Sequence, residues 1–182
     1  MDYFKWEMWR GGDMDTVFSR MDEWDEACKA YLKQLGSLEP ELSKRNWHFF
    51  SAVSLHDGYV LSVEIGDFLD QELSKLGQFQ GCEGETKVRM KVFLGSRLCQ
   101  MEYSRGRRIN LKHDGLSDCH PGLVNQMQYL GYDELSMVDQ GYFRHQLLFS
   151  SGAELAIEFK SFKYRMRRTE RAMGWSVLMT SK

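Results

Sequence analysis

The chain has 182 residues and a net charge of −2. That length suits one domain with a substantial core, and that charge gives no long-range pull toward nucleic acid or an anionic membrane. Aromatic residues make up 13% of the chain and prolines number two, which argues against disorder, and no apolar run is long enough to span a bilayer.

The opening residues, Met1 through Trp9, are aromatic and are expected to pack on the rest of the protein. They lack the pattern of a signal or transit peptide, so a cytoplasmic location is expected. After the break at Gly11 and Gly12, a helix is predicted from Asp13. Its apolar residues Met14, Val17, Phe18, Met21, Trp24, Cys28, Tyr31, Leu32 and Leu35 recur in steps of three and four and draw one stripe. Acidic Asp13 and Asp15 suit its N-terminal end, and Gly36 suits its stop. Residues 47–65 read as a hairpin about His56-Asp57-Gly58, pairing Val53 with Leu61 and Leu55 with Tyr59; residues 41–52 read alternatively as a short helix. A helix is expected over 67–76, then a loop over 78–85. Residues 87–103 read as a hairpin turning at Gly95-Ser96, with Val92 by Cys99, Met90 by Met101, Val88 by Tyr103 and Arg89 by Glu102. A strand over 107–111, a loop over 113–122 and a short helix from Pro121 to Leu130, stopped by Gly131, follow.

The clearest pattern lies at 132–138, 142–150 and 154–160. With three-residue turns, Leu135, Met137, Phe143, His145, Leu147, Phe149, Leu155, Ile157 and Phe159 share one face. Tyr132, Glu134, Ser136, Arg144, Gln146, Glu154, Glu158 and Lys160 take the other. A one-residue slip would scramble this partition, so the register is well specified. After Lys160 the alternation changes phase, which predicts a bulge or bend. The fold class expected is α+β: an N-terminal amphipathic helix packed on a mainly antiparallel sheet of hairpins. It forms one domain over 1–182, with a helical segment over 1–45 and the sheet over 46–170.

Four groups of residues carry candidate chemistry. His145 and Asp133 fall in diagonal positions on the core-facing side of adjacent strands, within side-chain reach. A carboxylate there fixes the imidazole tautomer, as in a general base or as in a buried polar pair. His-Asp-Gly occurs at His56-Asp57-Gly58 and at His113-Asp114-Gly115, where Asp-Gly is above all a turn signal. His113, Asp114, Asp118, Cys119 and His120 include zinc-ligating types without the spacing of a metal motif, so no metal is expected. Two basic runs, Arg105, Arg107, Arg108, Lys112 and Lys163, Arg165, Arg167, Arg168, Arg171, would suit a nucleic acid if they merged into one stripe; read against the net charge, they are solvated strand or helix ends. No phosphate-binding Gly loop, nucleophile elbow or dinucleotide fingerprint is present, and no cofactor is expected.

The aromatic Phe4 to Trp9, the turn Leu55-His56-Asp57, then Tyr132-Asp133-Glu134 and a closing His-x-x-Leu-Phe-Ser-x-Gly-x-Glu-Leu-x-Ile-x-Phe over 145–159 form a series. This series resembles a bacterial family known only as a domain of unknown function. The resemblance implies a bacterial, cytoplasmic α+β protein and no particular reaction. It places His56, Asp57, Asp133, Glu134, His145 and Glu154 among the motif positions. The function expected is a non-catalytic module of the immunity or accessory type that binds another protein, with no membrane partner and no nucleic acid. The alternative is a hydrolase or metal-dependent enzyme centred on His145, Asp133 and His56.

Cys28, Cys82, Cys99 and Cys119 show no Cys-x-x-Cys pairing, and a reducing compartment keeps such thiols free. Thiol titration of denatured, unreduced protein is therefore expected to count four; two or fewer would contradict this.

Overall fold

The computed structural model describes residues 1–5, 21–67, 86–112 and 128–169. Among the described residues, two α-helices, α1 (Met21–Ser37) and α2 (Lys44–Ala52), with a 3-10 turn (Glu39–Glu41) between them, precede eight strands. The strands are β1 (Tyr59–Asp67), β2 (Thr86–Leu94), β3 (Arg97–Ser104), β4 (Arg108–Lys112), β5 (Leu130–Asp139), β6 (Tyr142–Phe149), β7 (Glu154–Phe159) and β8 (Ser161–Arg168). They form two antiparallel four-stranded sheets, ordered β1-β2-β3-β8 and β4-β7-β6-β5. The α+β class and antiparallel pairing follow the sequence reading; the division into two sheets does not.

The two sheets share one bent ribbon. β3 passes into β4 through 105–107, and β7 passes into β8 at Lys160. The two crossings are tied by backbone bonds from Arg107 N to Glu158 O (3.1 Å) and from Lys160 N to Ser104 O (3.3 Å). The phase change after Lys160 is thus a change of sheet. At the opposite corner β1 meets β5: Tyr59 bridges Tyr129, Leu130 N donates to Gly58 O at 2.9 Å, and Val60 N donates to Gln128 O at 2.8 Å. Strand pairing therefore runs round the molecule and returns to its start.

The β2–β3 and β5–β6 hairpins have the expected registers: Val92 faces Cys99 and Arg89 faces Glu102, and Leu135 faces His145. The β6–β7 pairing differs by two residues. A turn over 151–153 would set Leu147 by Ile157, whereas the turn occupies 150–152, closed by Phe149 N donating to Ala153 O at 2.9 Å, so that Leu147 faces Leu155 and His145 faces Ile157. A shift of two keeps every side chain on its expected face. Gly95 and Gly141 adopt the left-handed conformation their turns require, with φ +62° and +73°. The inward residues of both sheets, among them Met90, Met101, Tyr103, Leu147, Phe149 and Ile157, are buried in one core.

The expected hairpin about His56 is replaced by α2 and a turn. Residues 44–52 are helical, with Ser43 accepting from Asn46 N at 3.2 Å as N-cap, and β1 pairs with β2. The helical part thus runs past residue 45, and the sheets begin at Tyr59. α2 covers the free edge of β8: Asn46 Nδ2 donates to Phe162 O at 3.2 Å, and Arg45 Nη2 donates to Tyr164 O at 2.6 Å. Leu130 and Gly131 belong to β5, not to a helix end and its stop. Gln128 and Tyr129 lead into that strand rather than into a helix. Residues 121–127 of that predicted helix, the predicted helix beyond Asp67 and the start of the N-terminal helix lie outside the described residues.

Within α1 the inward stripe is Tyr31 and Leu35, which are buried, with Trp24 and Cys28 half-buried, while Met21 and Leu32 are exposed. The stripe is narrow because its contacts run to the edge strand β5. The Tyr31 hydroxyl accepts from Leu135 N at 3.0 Å, and Trp24 meets Tyr132 with ring centroids 4.4 Å apart.

Gly58 marks the tightest approach. A Cβ there would lie 2.6 Å from Val92 Cγ1 and 2.8 Å from both Leu55 O and Leu94 Cδ2. Gly58→Ala is expected to lower stability by about 1 to 3 kcal/mol through overpacking in a denaturant melt. Gly36→Ala, with open space around it in α1, should instead be neutral or gain up to about 1 kcal/mol. Equal effects at the two positions would contradict the close approach.

Candidate functional site

His145 lies mid-strand in β6 with a fully buried side chain. Its Nε2 is 3.0 Å from Asp133 Oδ2, and Asp133 faces Leu147, so the pair is diagonal as the register predicts. Its Nδ1 is 2.7 Å from the hydroxyl of Tyr103, which comes from β3 in the other sheet. A carboxylate only accepts, so Nε2 carries the hydrogen, and in the neutral imidazole Nδ1 accepts from Tyr103. Burial, with the charge of Asp133 next, raises the Tyr103 phenol well above its ordinary value, which keeps the donor protonated. Both ring nitrogens are thereby satisfied. Phe50 of α2 closes over the ring edge-on, with centroids 5.2 Å apart.

This line resembles an oriented general base but has no substrate side. The imidazole is sealed by aromatic rings, and its second nitrogen, where a nucleophile would stand, is occupied by a phenol the same core has immobilised. Sequence reasoning missed Tyr103 because it lies in a different hairpin. The available signal was its inward phase beside Met101 and Val88, since a buried tyrosine hydroxyl needs a partner.

The other motif residues lie elsewhere. His56 Nδ1 is 2.9 Å from Asp57 Oδ2, in a turn where Asp57 has φ +60°. The His56 ring stacks edge-on against Tyr132, with centroids 4.7 Å apart. Tyr132 and Asp133 are consecutive in β5, so their side chains take opposite faces, and His56 stands across the strand from His145. Glu134 is 3% exposed although it lies on the outer face. Its carboxylate accepts from the backbone N–H groups of Asp2, Tyr3 and Phe4 at 2.9, 2.8 and 2.6 Å, and so anchors the N-terminal segment. Glu154 Oε2 lies 3.3 Å from the Met1 ammonium. His113, Asp114, Asp118, Cys119 and His120 lie outside the described residues. Among the described residues, no three His, Cys, Asp or Glu gather as a metal site. Nor is any helix there long and apolar enough to cross a membrane. Cys99 is buried and free, and burial pushes its thiol up to about 12.

Among the described residues, which exclude Arg171, the two basic runs do not merge. β4 pairs with β7 and β8 with β3, so the runs leave the ribbon crossing in opposite directions. Lys163, Arg165 and Arg167 instead join Lys87, Arg89 and Lys91 of β2 on the outer face of the first sheet, with Glu64 and Glu102 among them.

No family model and no curated protein matches this chain, so the family resemblance rests on its sequence pattern alone.

The His145 contacts predict a structural role. His145→Ala should cost about 1 to 3 kcal/mol, because it opens a cavity and leaves Asp133 and Tyr103 without their partner. Adding Asp133→Asn should recover part of that loss by removing the orphaned charge. Denaturant melts of the single and double variants measure this; a His145→Ala protein as stable as the parent would contradict it.

Proposed function

We propose that this protein is a non-catalytic binding module of the immunity or accessory type, and that it docks an acidic partner protein on the outer face of the β1-β2-β3-β8 sheet. The observation that carries the reading is the charge on that face. Its outward positions hold six cations and two carboxylates, on a chain whose net charge is −2. Arg89 Nε binds Glu102 at 2.8 Å and Lys91 Nζ binds Glu64 at 3.2 Å. Among the described residues, Lys87, Lys163, Arg165 and Arg167 make no such pair. Unpaired cations in fixed rows across a sheet face favour an acidic surface, speeding its approach and fixing its orientation.

A protein partner is favoured over a single nucleic acid strand. Strand-binding sheets stack bases on aromatic side chains at their centre. Here the central outward positions are Arg89, Lys91, Gln100, Glu102, Lys163 and Arg165, and Phe93 stands at the end. The row Glu64, Arg89, Glu102, Lys163 alternates in sign, a pattern suited to a protein surface and repulsive in part to a polyanion.

A photo-crosslinking residue at Gln100, compared with one at exposed Leu32 of α1, tests this in cells of the native host. Gln100 should capture one acidic protein, and the adduct should disappear in a Lys163→Glu, Arg165→Glu, Arg167→Glu variant whose melting is unchanged. A nuclease-sensitive adduct, or equal capture at Leu32, would overturn the proposal.

A further inference from the structure

A second charged site lies on the other sheet, at the ribbon crossing, and it does not depend on the docking face. Arg108 of β4, Glu158 of β7 and Arg144 of β6 stand opposite one another in a single cross-strand row. Glu158 is 3% exposed, and its two oxygens are taken by different arginines. Arg144 Nε and Nη2 bind Oε1 at 3.1 and 2.7 Å, and Arg107 Nε binds Oε2 at 2.8 Å. Arg107 is further fixed by Asp139 Oδ2 at 3.3 Å and by the Tyr142 ring, whose centroid lies 4.3 Å from its Cζ. Lys160 Nζ lies 4.7 Å from the centroid of the same ring.

Burial by itself raises the Glu158 carboxyl, but the hydrogen bonds and charges of Arg144 and Arg107 outweigh it and leave the group below its ordinary value. The carboxylate therefore stays ionised and holds both guanidinium groups in place. One arginine is enough to neutralise one carboxylate, although its two oxygens can accept from more. Here two arginines share it, and Arg108 stands in the same row with no hydrogen bond or ion pair among the described residues. Four cations, Arg107, Arg108, Arg144 and Lys160, face two carboxylates, Glu158 and Asp139. The local excess is two positive charges.

Arg107, Arg108, Val138, Arg144 and Glu158 line an open cleft of about 220 Å³. Sites for drug-sized ligands begin near ~300 Å³, so the space suits one small group. Among the described residues, donors without a partner remain at Arg107 Nη2, Arg144 Nη1 and all of Arg108. Guanidinium groups match tetrahedral oxyanions by paired N–H donors.

We propose that this cleft binds a single phosphate-type dianion, with Arg108 as the recruited fork and Arg107 and Arg144 as donors pre-positioned by Glu158. Free phosphate and a phosphate monoester present the same terminal oxygens, so the experiment carries both.

Arginine side-chain Nε–H resonances are followed by NMR while inorganic phosphate, or separately O-phosphoserine, is titrated at constant ionic strength held with chloride. Saturable shifts of Arg107 and Arg144 are expected. Arg108→Ala, which breaks no described contact and should melt like the parent, should weaken binding by about tenfold or more. Arg108→Lys should restore only part of it, because an ammonium lacks the paired fork. Saturation by phosphoserine but not by inorganic phosphate would assign the site to monoesters, and the reverse would assign it to the free ion. Shifts that follow chloride equally, that fail to saturate with either ligand, or that survive Arg108→Ala undiminished would overturn the site.

Discussion

The hydrogen bond between the Tyr103 hydroxyl and His145 Nδ1, 2.7 Å long, crosses the core from one sheet to the other. With the 3.0 Å contact from Nε2 to Asp133, it is a complete polar chain inside an otherwise apolar interior. Apolar packing tolerates small slides of one sheet over another; a buried polar chain does not, since any slide leaves a donor or acceptor unpaired at a cost of about 1 to 3 kcal/mol. The chain therefore fixes how the β3 and β6 layers sit, and α2, through Phe50, closes against the same ring.

That constraint also sorts the functional readings. The residues that look most like an enzyme's are the ones the fold consumes: His145 and Tyr103 in the core, Glu134 under the N-terminal segment, Glu158 between two arginines. Exposed acids such as Asp22, Glu23, Asp25 and Glu26 lie on α1, while on the outer faces of the two sheets the charge left over is mainly basic. On the first sheet it is spread in rows, which suits a broad protein surface. At the ribbon crossing it is concentrated around one buried carboxylate, which suits a small anion.

The sequence carried the local geometry well. The registers of β2 with β3 and of β5 with β6 were legible to the residue, because two-residue alternation and left-handed turn glycines are local signals; between β6 and β7 alternation gave the right faces but not the pairing, since a shift of two residues leaves the faces unchanged. The diagonal placement of His145 and Asp133 followed from them. Non-local facts were not legible. The break in alternation at Lys160 marked a bend but not the sheet that β8 would join. The apolar residues about His56 fitted a hairpin as well as a helix and turn, and only the pairing of β1 with β2 across a long connection decides between them. Glu134 and Glu158 follow the phase of the wet face yet are buried, because what covers them, the backbone of 2–4 and the side chains of Arg107 and Arg144, arrives from distant parts of the chain.

The most direct test of the buried chain is the state of the His145 ring in the intact protein. Long-range ¹H–¹⁵N correlation spectra at neutral pH should show its neutral imidazole with hydrogen on Nε2 alone. They should also show a slowly exchanging Tyr103 hydroxyl proton that vanishes in His145→Ala. An imidazole protonated on Nδ1, or one averaging between tautomers beside a freely exchanging Tyr103 hydroxyl, would contradict the account.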